Sequence, residues 1–257
     1  MEGGRTHRPV SIYRRYAEAY AKAGQGRFSL LLVPWVAAVL EQHGGARTLA
    51  DVACGAGEFA VAMARRGLTV TAVDQSPEML ALGRTAADRS GVRITWLEQD
   101  MRELRLAEPV DAATCLYDSL NYLADEGELR RAMGAVAASL RPAGLFLFDM
   151  NTIRGLATRW GNRVWIIQDS DDAFEADQSE FDYDSGVATL RLNAFLHRGD
   201  ERYERVREVH RERGYPIPAI DAALEGAGFD VLGRWSSPSF EPVTSETGRV
   251  FYAARRR

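Results

Sequence analysis

Leu49-Ala50-Asp51-Val52-Ala53-Cys54-Gly55-Ala56-Gly57-Glu58-Phe59 passes from an apolar run through a Gly-x-Gly turn into an amphipathic run. Residues 47–53 read as a strand, 54–58 as a glycine turn, and 59–66 as a helix closed by Gly67. Glycine lets the backbone turn tightly and lets a ligand approach it closely. A helix that starts at such a turn offers unpaired N–H groups. Asp74 ends the next apolar run, 68–74, where a carboxylate can accept hydrogen bonds from both hydroxyls of a ribose.

The alternation continues outward. Ser76 caps a helix with Pro77 at its first position, running to Arg89. Strands follow at 92–99 and 110–116, then a helix at 126–140 ending before Pro142 and Gly144, then a strand at 145–149. Strand and helix in alternation predict a parallel sheet with helices on both faces. Upstream, residues 10–24 read as a helix with Tyr13, Tyr16 and Tyr20 on one face, and 28–42 as a second helix stopped by Gly44-Gly45. Residues 152–213 break the pattern. Two-residue alternation over 187–196, with turn signals at Asp184-Ser185-Gly186 and Arg198-Gly199-Asp200, predicts an inserted antiparallel sheet. Arg202, Arg205, Arg207, Arg211 and Arg213 are interleaved with Glu201, Glu204, Glu208 and Glu212, which reads as a charge-balanced, solvated face. The α/β core resumes with a helix at 218–227 and strands at 229–236 and 249–254.

Composition narrows the function classes. The 257 residues, 46% hydrophobic and 26% charged, make a globular chain of one large domain or one domain with an insertion. No apolar run reaches the ~18–20 residues of a membrane span, and the longest, 28–40, contains Pro34. Residues 1–9 are polar and lack an apolar signal region, so the expected location is cytoplasmic, with no membrane partner. Cys54 and Cys115 read as buried small hydrophobes and have no zinc spacing. A net charge of −4 argues against broad nucleic-acid binding. Asp149 and Asn151 stand at a strand end, where carboxylates commonly bond backbone N–H groups, so no metal is expected.

The glycine turn alone is ambiguous, because Gly55-x-Gly57-x-x-Ala60 also fits the dinucleotide fingerprint of NAD enzymes. Three features separate the readings. Asp51 stands just before the turn, where a carboxylate is awkward beside a pyrophosphate but suits a cationic ligand. Gln99-Asp100-Met101 ends the third strand, where an acid can accept from an adenine amino group and a methionine can pack on its ring. The fourth strand runs into Cys115-Leu116-Tyr117-Asp118-Ser119-Leu120-Asn121-Tyr122, a polar, aromatic loop at the carboxyl edge of the sheet, where open α/β sheets bind ligands.

Asp51–Gly57, Val73-Asp74-Gln75-Ser76-Pro77-Glu78-Met79-Leu80, Gln99-Asp100-Met101 and Asp118-Ser119-Leu120-Asn121-Tyr122-Leu123, in this order and spacing, resemble a class I S-adenosylmethionine-dependent methyltransferase. The tyrosine-rich N-terminus and the insertion are similar to a bacterial subgroup that includes aminosugar N-methyltransferases and relatives labelled as tRNA methyltransferases. The resemblance implies a Rossmann-like α/β fold: a seven-stranded, mostly parallel sheet, its last strand antiparallel, with an inserted antiparallel β-sheet. Residues 1–151 and 214–257 would form the cofactor-binding core with its N-terminal lid, and 152–213 a substrate-side subdomain that also offers a surface for a homodimer.

The resemblance also implies roles by position. Asp51, Ala53, Gly55 and Gly57 would line the methionine and ribose part of S-adenosylmethionine, and Asp74 would hold the ribose hydroxyls. Gln75 and Met79 would lie beside the adenosine, Asp100 and Met101 on the adenine, Leu116 and Tyr117 at the sulfonium, and Tyr13 and Tyr20 would close over the methionine end. Family members often carry Asp after the second of these tyrosines, where this chain has Ala21; aminosugar enzymes carry His where it has Tyr122. Methyl transfer from a sulfonium releases a neutral leaving group, so positioning dominates, and a base is needed only for a protonated acceptor. Tyr122 and Asn121 are the candidates to orient an acceptor, His210 is the candidate base, and Tyr215 is a candidate pocket wall. A small-molecule acceptor at nitrogen or oxygen is expected. A tRNA methyltransferase is the alternative, followed by an NAD-dependent oxidoreductase and a non-catalytic cofactor-binding module. No Pro-Cys nucleophile and no Asn/Asp-Pro-Pro-aromatic motif follow the fourth strand, which argues against several base-methylating chemistries.

Overall fold

The computed structural model describes residues 12–237 and 239–257; the polar stretch 1–9 and the first two residues of the expected helix 10–24 lie outside it. The described part of that helix is short, α1 (Ala17–Ala23), closed by Gly24 in the left-handed conformation. Tyr13 and Tyr16 precede it on an irregular turn, so the tyrosines are presented by a bend as well as a helix face. The expected second helix is broken into α2 (Arg27–Leu30) and α3 (Val33–Gln42). Pro34 stands in the first turn of α3, where a missing N–H costs nothing.

The core follows as β1 (Thr48–Val52), α4 (Glu58–Arg65), β2 (Thr69–Asp74), α5 (Pro77–Ser90), β3 (Ile94–Glu98), β4 (Val110–Cys115), α6 (Glu126–Ser139) and β5 (Leu140–Asn151). Ser76 Oγ accepts from the Met79 N–H, so the expected cap of α5 is present. Next come α7 (Ile153–Arg159), β6 (Arg163–Asp169), β7 (Ala173–Asp182), β8 (Val187–His197), β9 (Tyr203–Arg213), α8 (Ile217–Gly226), β10 (Phe229–Ser236) and β11 (Arg249–Arg256). Helix α7 was not expected within 152–213; Thr152 caps it by accepting from the Gly155 N–H at 2.9 Å.

The large sheet has the order β10-β11-β5-β4-β1-β2-β3, with β11 antiparallel to both its neighbours. The chain moves outward from β1 to β3, then returns to the other side of β1 with β4. That reversal opens a crevice at the carboxyl ends of β1 and β4. One face of the sheet packs on Leu129, Met133 and Val136 of α6 and Ile220 and Leu224 of α8. The other packs on Val36 and Leu40 of α3 and Phe59 and Met63 of α4.

The second sheet is antiparallel in the order β6-β7-β8-β9. Its inner face (Ala173, Leu190, Leu192, Ala194, Leu196 and Val206) buries Tyr16, Ala17, Ala19 and Tyr20. The segment Tyr16–Tyr20, the expected lid, is therefore sandwiched between this sheet and the crevice. Strand period corrects the reading of β9 as a charge-balanced face. Arg205, Arg207 and Arg211 point outward and are exposed, whereas Val206, His210 and Glu212 are buried on the lid side, with Glu208 beside them. Glu208 and Glu212 are thus separated from the outward arginines by the thickness of the sheet, while Glu201 and Glu204 are exposed. No single helix among the described residues is long and apolar enough to cross a membrane.

Candidate active site

The crevice holds a cavity of about 150 Å³, roughly ten times what one water needs. Its floor is the glycine turn. Ala53 and Gly55 both adopt φ 55° and Gly57 φ 77°. A Cβ on Gly57 would approach the Trp96 ring at 2.6 Å. Gly57 does not line the cavity; it shapes the turn and starts α4, which corrects its expected contact role. Asp51, Ala53, Gly55 and Asp74 do line it. Asp74 accepts from the Gly55 N–H at 2.8 Å and the Ser76 N–H at 2.9 Å, one on each oxygen. Each oxygen keeps a further lone pair. Burial pushes the Asp74 carboxyl up against these bonds. Asp51 accepts from Thr114 Oγ1 at 2.8 Å on the paired strand β4. Burial pushes it up to about 7, with the charges of Asp74 and Glu58 adding to the shift. Glu58, which the sequence reading had not singled out, also lines the cavity. The pocket is acidic, which favours a cationic ligand.

Gln75, Met79, Asp100 and Met101 lie along one side of the same cavity. Asp100 caps a short 3-10 turn by accepting from the Arg102 N–H at 2.9 Å and pairs with the Arg102 guanidinium, which also reaches Glu128 of α6. The Arg102 side chain holds the Asp100 carboxyl below its ordinary range.

Tyr13 and Tyr20 also line the cavity, their rings edge to face at 5.6 Å. Tyr13 is fixed at three points. Its N–H donates to Glu208 at 2.7 Å, its carbonyl accepts from Ser76 Oγ at 3.1 Å, and its hydroxyl lies 3.0 Å from that of Tyr122. These ties sustain a φ of 62° in a bulky residue. Tyr16 is buried behind it and donates to Glu175 of β7.

Leu116, Tyr117 and Tyr122 line the cavity as well. Tyr117 and Asp118 adopt φ 61° and 53°. A buried network holds them there. Arg249 of β11 donates at 2.6 Å to both Asp149 and Asp118, and Asp149 accepts from the Tyr117 N–H at 2.6 Å. Asn151 donates to Asp118 and to Glu212, whose carboxyl burial pushes well above its ordinary range. The Arg249 guanidinium lies 4.8 Å from the Phe28 ring centre, and Phe28 stacks on Tyr117.

Two expected acceptor-side residues are corrected. Asn121 is fully buried and absent from the cavity lining; its amide donates to the carbonyls of Asn151 and Arg213, and its oxygen accepts from the Asn151 N–H. No amide group is left to orient an acceptor. Tyr215 is a core residue whose hydroxyl donates to the Leu123 carbonyl at 2.6 Å. His210 also does not line the cavity, but its Nδ1 lies 2.8 Å from Tyr122 Oη, which does. Burial pushes both cysteine thiols well above their ordinary range.

A family model described as a methyltransferase domain matches residues 49–144, which include the glycine turn, Asp74, Asp100 and Met101 of this cavity. A protein of Geobacillus sp. (strain WCH70), named as a methyltransferase without a stated acceptor, is 34% identical over 84% of this chain and 88% of its own length. The chain belongs to the S-adenosylmethionine-dependent methyltransferases. The crystal structure of a methyltransferase of that kind from Clostridium acetobutylicum ATCC 824 covers 96% of this enzyme and 99% of its own chain, at 25% identity and a TM-score of 0.84. A sugar N-methyltransferase from Streptoalloteichus shares the fold at 22% identity, covering 100% and 99% of the two chains with a TM-score of 0.78. The methyltransferase's cavity suits its cofactor. Asp74 has free lone pairs for a diol, and the buried acids complement a sulfonium and an ammonium group.

Proposed function

We propose that this methyltransferase acts on a nitrogen or oxygen of a small molecule that enters at the Tyr13–Tyr122 end of the cavity. The enclosed, tyrosine-walled pocket under a lid tied down by Glu208 carries this reading. The exposed arginines of β9 face away from the lid and the cavity, so they make no basic path into the site for an RNA. The buried Asp51 beneath the turn disfavours a pyrophosphate and with it NAD. Residues 1–151 and 214–257 serve as the cofactor core and 152–213 as the substrate-side cover.

Bound S-adenosylmethionine supplies an electrophilic methyl group on a sulfonium whose departure needs no acid. Asp74 holds the ribose hydroxyls, Gln75 and Met79 flank the adenosine, and Asp100 and Met101 hold the adenine. Asp51, Ala53 and Gly55 line the methionine portion, with Tyr13 and Tyr20 over it and Leu116 and Tyr117 beside the reacting centre. Orientation of the acceptor lone pair supplies most of the rate, as it does in intramolecular reactions where alignment is worth ~7–11 kcal/mol. Tyr122 positions the acceptor, and His210 takes up its proton through Tyr122. Burial pushes the Tyr122 hydroxyl well above its ordinary range, so it is a neutral phenol and can accept a proton only while passing one on.

The test is transfer of an isotopically labelled methyl group from S-adenosylmethionine into pools of small amines and alcohols, set beside bulk tRNA. Label in the small-molecule pool is the expected result. Label confined to tRNA contradicts the reading.

A further inference from the structure

Glu208 lies on the lid side of β9, its side chain 8% exposed beside His210 at 1%. Its carboxylate accepts four hydrogen bonds. Oε2 accepts from the Tyr13 N–H at 2.7 Å and from His210 Nε2 at 3.1 Å; Oε1 accepts from the Arg15 and Tyr16 N–H groups, both at 3.0 Å. Three of the four donors belong to the lid. Burial works against the carboxylate, but His210 and these N–H groups outweigh it and hold the carboxyl below its ordinary range.

A carboxylate only accepts, so His210 Nε2 carries a hydrogen. In the neutral imidazole Nδ1 is then the acceptor, and Tyr122 Oη, 2.8 Å away, donates to it. With its one hydrogen spent on His210, Tyr122 must accept from Tyr13 Oη at 3.0 Å. The direction of every bond in the chain Tyr13–Tyr122–His210–Glu208 follows from Glu208 being ionised and His210 being neutral. The Tyr122 oxygen is left with one lone pair toward the cavity. Around His210 stand Tyr13 and Tyr16 from the lid, with ring centres at 4.8 and 6.0 Å, Tyr122 from the loop after β4, Glu208 from its own strand, and the charge of Glu175 from β7.

We propose that Glu208 is a positioning residue that makes lid closure and proton acceptance a single event. It binds the lid backbone and sets the His210 tautomer through the same carboxylate. This rests on the reading that the acceptor meets Tyr122, and it specifies the acceptor class: a group that brings a hydrogen to donate, an amine N–H or a hydroxyl O–H. As the acceptor takes the methyl group, its N–H or O–H bond breaks and the electron pair stays on the nitrogen or oxygen. The proton goes to Tyr122 Oη, the Tyr122 proton passes to His210 Nδ1, and the imidazolium so formed lies against Glu208. With the lid open, Glu208 loses three donors and its hold on the imidazole.

Two measurements on the whole chain, without ligand, test this. Nitrogen-15 NMR of the wild-type imidazoles near neutral pH should show His210 protonated at Nε2 and bare at Nδ1. Glu208→Gln sets a carboxamide N–H2 against the lid amides. With an unchanged circular dichroism spectrum, it should exchange the amides of Tyr13, Arg15 and Tyr16 at least about tenfold faster and lose the single tautomer. An Nδ1–H tautomer or an imidazolium in the wild type overturns the proposal, as does unchanged lid exchange in folded Glu208→Gln. The wild-type spectrum decides even if the variant does not fold. Tyr122→Phe separates this proposal from the acceptor reading. Lost methyl transfer with unchanged lid exchange supports both. Full transfer contradicts the acceptor reading and the proton relay through Tyr122, while the hold of Glu208 on lid and imidazole is decided separately, because it is read without acceptor or cofactor.

Discussion

At Asp51, stability and recognition pull in opposite directions. Its carboxyl is raised from 3.8 to about 7 by burial. The folded state therefore binds this proton more tightly than the unfolded state does. Its contribution to stability is full below about pH 4 and is lost as pH rises through about 7. Asp51→Asn should match the wild type in acid and exceed it above neutrality by about 1–3 kcal/mol, as read by denaturant melts across this range. The same variant should weaken S-adenosylmethionine binding by at least about tenfold, because a cationic ligand prefers the ionised acid. A variant with no stability gain above neutrality contradicts this assignment. Asp74→Ala tests the neighbouring acid. It should fold normally and bind the cofactor at least about tenfold more weakly; unchanged affinity by calorimetry would remove the ribose role.

At the scale of elements, the loop from β4 to Tyr122 is held in place by a β11 residue distant in sequence. Arg249 pairs with Asp149 and Asp118 and so supports two left-handed residues at the cavity wall. Arg249→Met leaves two buried carboxylates without their cation and should cost about 3–5 kcal/mol in chemical denaturation. A cost under about 1 kcal/mol would show that the network does not hold the loop.

The βαβ pattern around the glycine turn was legible because apolar periodicity and glycine spacing are local signals. The two-residue alternation of β8 was legible for the same reason. The uses of Asn121, Tyr215 and Arg249 were not, since each bonds a partner about 30 to 130 residues away. Glu208 had a signal that went unused. From 206 on, the even positions of β9 carry Val206, His210 and Glu212, all buried, so parity places Glu208 on the inner face; Glu204, at the start of the strand, is exposed. Summing charge along the strand concealed this. The shortened first helix reflects tertiary override: Tyr13 and Tyr16 bond Glu208 through backbone N–H groups that precede the first helical turn.

At the scale of the whole molecule, two sheets enclose one lid. The parallel sheet supplies the acidic floor at its crevice, and the antiparallel sheet supplies the inner face that buries the lid tyrosines. The antiparallel sheet carries Glu175, Asp177, Glu208 and Glu212 on its inner face, while the outer surface of β9 presents Arg205, Arg207 and Arg211. A ligand of the cavity and the lid are thus linked, because Tyr13 touches the cavity while its backbone is tied to the second sheet. The most direct measurement is calorimetric titration of the purified enzyme with S-adenosylmethionine, S-adenosylhomocysteine and NAD. Saturable binding of both adenosyl ligands, and none of NAD, is the predicted result. Preference for NAD, or no adenosyl binding by folded protein, would contradict the assignment of the glycine turn, Asp51 and Asp74 to a sulfonium cofactor.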